Sequence, residues 1–74
     1  MNEIDHLNVD GKLLNLFLVV HEEGNVTSAA GRLGLTQSAV SHSLDKLRKI
    51  LGDPLFLRSG RGIVPTKRAD ELVE

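Results

Sequence analysis

Apolar positions recur at helical spacing through the first two thirds of the chain and then switch to short extended runs. Leu13, Leu16, Phe17 and Val20 fall at i, i+3, i+4 and i+7, which places them on one face of a helix from about Asp10 to Glu23. Asp10 is the expected N-cap and Gly24 the left-handed stop. A shorter helix, about Val26 to Leu33, buries Ala29, Ala30 and Leu33, with Asn25 or Thr27 near its start and Gly34 at its end. The third helix, about Gln37 to Leu51, turns Val40, Leu44, Leu47 and Leu51 inward between a Thr36 cap and a Gly52 stop. After Asp53-Pro54 the runs Leu55–Arg58 and Gly62–Val64 read as two short strands around Ser59-Gly60-Arg61. Pro65 forces extended geometry on Val64, and Thr66 caps a last helix from Lys67 onward. The expected fold is mostly α, a winged helix-turn-helix with a three-helix core, a two-stranded β wing and the start of a linker helix.

The turn between the second and third helices carries the most specific local signal. Ala30 is small enough for the third helix to cross close by, and Gly34, four residues later, permits the positive φ of a sharp turn. Leu35 is expected to plug the corner, and Val40 anchors the third helix back on the core. A small residue, a Gly and a β-branched residue at these offsets match the helix-turn-helix that binds DNA.

Composition narrows the classes. The chain has 74 residues and no Cys, which leaves one small domain without disulfides, thiolate metal sites or a thiol nucleophile. The longest apolar run, Leu16–Val20, is too short to span a bilayer, and the first residues lack the pattern of a secretory signal. A small cytosolic domain with no membrane partner is expected.

The net charge of −1 conceals a polarised distribution. Residues 1–31 hold Lys12 against five carboxylates, a net of −4. Residues 32–68 hold eight Lys and Arg against Asp45 and Asp53, a net of +6, and residues 69–74 carry three carboxylates. One basic face among acidic ones suits a phosphate backbone. With the apolar stripe inward, the third helix shows Gln37, Ser38, Ser41, His42, Asp45, Lys46 and Lys49 outward. Gln, Ser and His side chains donate or accept at base edges. Lys46 and Lys49 suit phosphates, and the helix N-terminus beside Thr36 offers free N–H groups to another. At the hairpin, Arg61 is the expected minor-groove reader, while Arg58 is placed either there or in an internal pair with a carboxylate.

Taken together these residues resemble the N-terminal DNA-binding domain of LysR-type transcriptional regulators, over about residues 10–74. The pattern stands here as Leu14-x-x-Phe17-x-x-Val20, Asn25-Val26-Thr27-Ser28-Ala29-Ala30-x-x-Leu33 and Thr36-Gln37-Ser38-Ala39-Val40-Ser41. It continues as Leu47, Leu51-Gly52, Leu55-Phe56-x-Arg58-x-x-Arg61 and Thr66. The resemblance implies a bacterial repressor or activator that reads a roughly palindromic site as a homodimer or tetramer, with the helix about 37–51 in the major groove and the wing 55–64 in the minor groove. Gln37, Ser41 and Arg61 sit where the family contacts DNA. Thr36, Ser38, His42, Lys46 and Arg58 complete the expected DNA-binding set, with phosphate contacts from Thr27, Arg32, Lys49 and Lys67. Position 38, usually Pro in the family, is Ser, and position 42, often Arg, is His, departures that bear on the half-site sequence. Arg48 replaces the acidic residue usual after Leu47. With Asp53-Pro54, Gly60-Arg61-Gly62 and Pro65-Thr66, this resembles the branch that includes nodulation regulators.

The domain limits implied are a tail at 1–9, the winged helix-turn-helix at 10–65 and the start of a linker or dimerisation helix at 66–74. A small-molecule inducer is expected only through a C-terminal domain that these residues do not include. The chain reads as an excised domain or truncated product, a monomer or weak dimer by itself.

Two other classes fit less well. An enzyme would need catalytic or metal-binding side chains in register. His6, His21 and His42 lie in separate segments without ligand spacing, and Ser41 and His42 are helix neighbours that do not face each other. No catalytic residue, metal or cofactor is expected. A protein-interaction module would show exposed Leu, Met or aromatic residues on the third helix, where Gln37, Ser38, Ser41 and His42 stand instead.

Overall fold

The computed structural model describes residues 11–60 and 62–73, so the expected cap Asp10, the wing residue Arg61 and the tail 1–9 lie outside the described residues. The order is α1 (Gly11–Glu23), α2 (Val26–Leu33), α3 (Gln37–Leu51), β1 (Phe56–Ser59), β2 (Gly62–Pro65) and α4 (Lys67–Val73). Helices α1, α2 and α3 pack on one another, and α4 packs on β2. This is the expected winged helix-turn-helix.

Each helix stripe meets its neighbours in one core. Leu13, Leu16, Phe17 and Val20 from α1, Ala29 and Ala30 from α2, and Val40, Leu44 and Leu47 from α3 are buried. Phe17 lies 5.6 Å, ring centroid to centroid, from Phe56 at the start of the wing, which ties the sheet to α1. Full burial of a side chain of this size stabilises by about 1.5–3 kcal/mol. Val19, off the expected stripe, is buried as well, whereas Leu33 and Leu51 are only half-buried at helix ends.

The caps follow the sequence. Asn25 rather than Thr27 starts α2, its side-chain oxygen accepting the Ser28 N–H at 3.0 Å. Thr36 accepts from Ala39 N–H at 3.1 Å, and Thr66 from Ala69 N–H at 3.1 Å. Gly34 adopts φ 70°, and its N–H and that of Leu35 return to Gly31 O and Ala30 O at 3.3 and 2.9 Å. These two bonds form a Schellman motif, so backbone turns the corner between α2 and α3. Leu35 does not plug it: the side chain is 46% exposed.

The wing begins one residue later than expected. Leu55 leaves the strand with φ 64° and is fully buried, and Phe56 pairs with Pro65, Leu57 with Val64, Arg58 with Ile63 and Ser59 with Gly62. A left-handed Leu costs about 1–2 kcal/mol. Burial of its side chain offsets that cost, and both its backbone groups are bonded, N–H to Asp53 Oδ2 at 2.8 Å and C=O to Thr66 N–H at 2.9 Å.

Candidate nucleic-acid interface

The inward anchors Val40, Leu44 and Leu47 fix which side of α3 faces out. Gln37, Ser38, Ser41, His42, Lys46 and Lys49 are all exposed, so the short polar residues stand at the front of the helix and the two lysines further along. Thr36 is spent on the Ala39 N–H, leaving earlier first-turn N–H groups without an intrahelical acceptor. Asp45 is the acidic residue of this exposed face. Its carboxylate accepts from Arg48 Nη1 at 2.7 Å, and the same guanidinium donates through Nε to Pro54 O at 2.8 Å. Among the described residues, the large apolar side chains that remain exposed, Leu35, Leu57 and Val64, lie off this helix.

Two grooves gather the other candidates. One, about 280 Å³, lies between the start of α2 and the wing and is lined by Asn25, Val26, Thr27, Arg58, Ser59, Gly62 and Ile63. It brings Thr27 and Arg58, expected from distant segments, to one notch. Arg58 is exposed, and among the described residues it pairs with no carboxylate. The second groove, about 440 Å³, runs between α1 and α3. Lys12, His42 and Lys46 line it together with Leu13, Leu16, Leu33 and Leu35. Lys12 was absent from the expected set: its only signal is a lone basic residue in an acidic segment.

Arg32 does not join either groove. Its Nη1 donates to Glu22 at 2.9 Å and Glu23 at 3.2 Å, and these hydrogen bonds, Glu22 first, hold the guanidinium above its ordinary pKa range. Lys67 is exposed on the first turn of α4, also outside both grooves. His21 lies in the last turn of α1. Its Nε2 lies 2.9 Å from Asp70 Oδ1 on α4, and its ring is tilted against Phe17 and Phe56. Among the described residues no group of His, Cys, Asp or Glu has the grouping to hold a metal ion, and no helix is long and apolar enough to cross a membrane.

Comparison with known proteins decides the family. Residues 12–70 match the family described as bacterial regulatory helix-turn-helix protein, lysR family. The chain belongs to this lysR family. It is 47% identical over 66 residues to the HTH-type transcriptional regulator PhcA of Ralstonia nicotianae, covering 89% of this chain and 19% of PhcA. The chain thus spans about a fifth of the length of the curated relatives it matches. Among solved structures, the probable transcriptional regulator PA0477 of Pseudomonas aeruginosa superposes with a TM-score of 0.83 at 44% identity, over 86% of this chain and 22% of that one. The CbnR DNA-binding domain, crystallised with DNA, superposes with a TM-score of 0.80 at 33% identity, over 85% of this chain and 72% of that one. The lysR-family chain is therefore the helix-turn-helix part of such regulators, with the wing in place.

Proposed function

We propose that α3 of this lysR-family domain enters the major groove of double-stranded DNA, with Gln37, Ser38, Ser41 and His42 at base edges. The observation that carries this reading is the exposed polar front of α3, free of large apolar side chains and held outward by three buried anchors. Thr36, Lys46 and Lys49 meet phosphates, and so does Thr27 at the start of α2. The wing lies along the minor groove with Arg58 and Arg61, and Lys67 meets the backbone beyond it. Arg32 takes a phosphate only by leaving Glu22 and Glu23. The DNA-bound CbnR domain of the same fold supports this placement.

In the whole protein the module works as one of two or more copies on a roughly palindromic site, in the cytoplasm. A small-molecule inducer acts through a separate domain. No catalytic step is assigned to these residues.

The test compares two substitutions on selected duplexes. Gln37→Ala relaxes discrimination at one base pair, where a bidentate contact is worth about 1–3 kcal/mol. Lys46→Ala weakens all sequences alike and lowers the salt slope by about 1. Equal effects on specificity from both changes would overturn the division into base-reading and phosphate-binding residues.

A further inference from the structure

The turn between α3 and the wing is bonded to both helices that flank the wing. On one side, Arg48 in the last turn of α3 donates through Nε to Pro54 O at 2.8 Å. On the other, one oxygen of Asp53, Oδ2, accepts from Leu55 N–H and from the Thr66 hydroxyl, each at 2.8 Å. Thr66 is also the cap of α4, since its Oγ1 accepts the Ala69 N–H. The Leu55 carbonyl takes the Thr66 N–H at 2.9 Å, so Asp53 and Leu55 grip the first residue of the α4 cap through both its side chain and its backbone. The bonds of Asp53 to Leu55 and Thr66 are part-buried, whereas the Arg48–Pro54 bond is exposed. This strap bypasses the wing: α3 and α4 are joined through Arg48, Pro54, Asp53 and Thr66 without passing through the hairpin residues 56–65.

We propose that Asp53 is a positioning residue that fixes the direction in which α4 leaves the domain relative to α3. This rests on reading α3 as the helix that meets DNA and α4 as the arm that joins copies. The angle between them then sets the distance at which two recognition helices are presented to two half-sites, a distance that must match whole turns of the duplex. The device depends on oxygen geometry and not on charge, because a single oxygen receives both bonds and has a lone pair for each.

Residual dipolar couplings and amide relaxation of this 74-residue chain test the proposal. In the parent chain, couplings from α1, α3 and α4 fit one alignment tensor. In Asp53→Ala, those of α4 depart from the tensor fitted to α1 and α3, and α4 order parameters fall from about 0.85 towards 0.6. Asp53→Asn, whose side-chain carbonyl oxygen accepts the same two bonds, keeps the parent values. Thr66→Asp gives a second route should Asp53→Ala disturb the whole domain. Aspartate is a good N-cap, so α4 stays helical, but its carboxylate repels that of Asp53 and releases the strap.

A general loss of stability lowers the melting temperature without separating α4 from the common tensor. Couplings of α4 that still fit that tensor in both Asp53→Ala and Thr66→Asp would overturn the proposal, and so would an Asp53→Asn chain that behaves like Asp53→Ala. Titration with a single half-site duplex is run alongside. A parent chain that binds no duplex contradicts the functional reading, whereas the coupling experiment is decided without DNA.

Discussion

Gly62 in the wing stands so close to Gly24, in the turn after α1, that a Cβ on Gly62 would lie 2.8 Å from the Gly24 carbonyl oxygen. The next residue, Ile63, donates its N–H to that same oxygen at 3.3 Å, so the loop end of the wing, where Gly62 pairs with Ser59, is bonded to the turn that leads into α2. Gly62 also has φ 146°, which disfavours any side chain there. Gly62→Ala is therefore expected to destabilise the domain by about 1–3 kcal/mol, read as a lower midpoint in urea. Its amide shifts should spread from the wing to Gly24 and Asn25, and shifts confined to the hairpin would contradict the contact.

Leu44 is 2% exposed at the centre of the α3 stripe. Leu44→Ala should cost about 2–5 kcal/mol, with the value set by how far the surroundings close on the cavity. A domain this small has little stability to spare, so the substituted chain should be partly unfolded at 25 °C and regain helical circular dichroism when DNA is added. A loss below 0.5 kcal/mol, about what a surface substitution gives, would mean that α3 is not anchored as described.

Much of this was legible from periodicity alone. The stripe Leu13, Leu16, Phe17, Val20 and the stripe Val40, Leu44, Leu47 are buried as their spacing requires, and Thr36, Thr66 and three glycines mark the helix ends. The order of exposed residues on α3 followed from the same stripe. What spacing did not reveal depends on contacts between distant segments. Val19 is buried although it falls off the stripe, because α1 is packed by more than one neighbour. Leu35, apolar beside a turn, reads as a plug, but two backbone hydrogen bonds already close that corner. Leu55 read as a strand residue, since nothing local foretells a left-handed leucine whose N–H and C=O are claimed by Asp53 and Thr66. The Thr27–Arg58 notch and the His21–Asp70 contact join residues 31 and 49 apart in the chain, beyond any local pattern.

Arg32, at the end of α2, is a basic residue of the helix-turn-helix that is paired with two carboxylates of α1. Glu22 and Glu23 lie at 2.9 and 3.2 Å from its guanidinium. Arg32→Ala should leave affinity for a half-site duplex nearly unchanged, in contrast to Lys46→Ala. Replacing both Glu22 and Glu23 with Gln should raise affinity at low salt and steepen its salt dependence, because a released cation displaces counterions from the backbone. Fluorescence anisotropy at two salt concentrations reads both effects. An Arg32→Ala chain as weakened as Lys46→Ala would show that Arg32 leaves its carboxylates for a phosphate.

The claim that α3 reads DNA is tested most directly by following the amide shifts of the chain as duplexes selected from random sequence are added at low and moderate salt. The largest shifts are expected at Thr36–Lys49 and around Arg58–Gly62, with affinity falling steeply as salt rises. Shifts that avoid α3 at low salt, or binding that salt does not weaken, would contradict the claim.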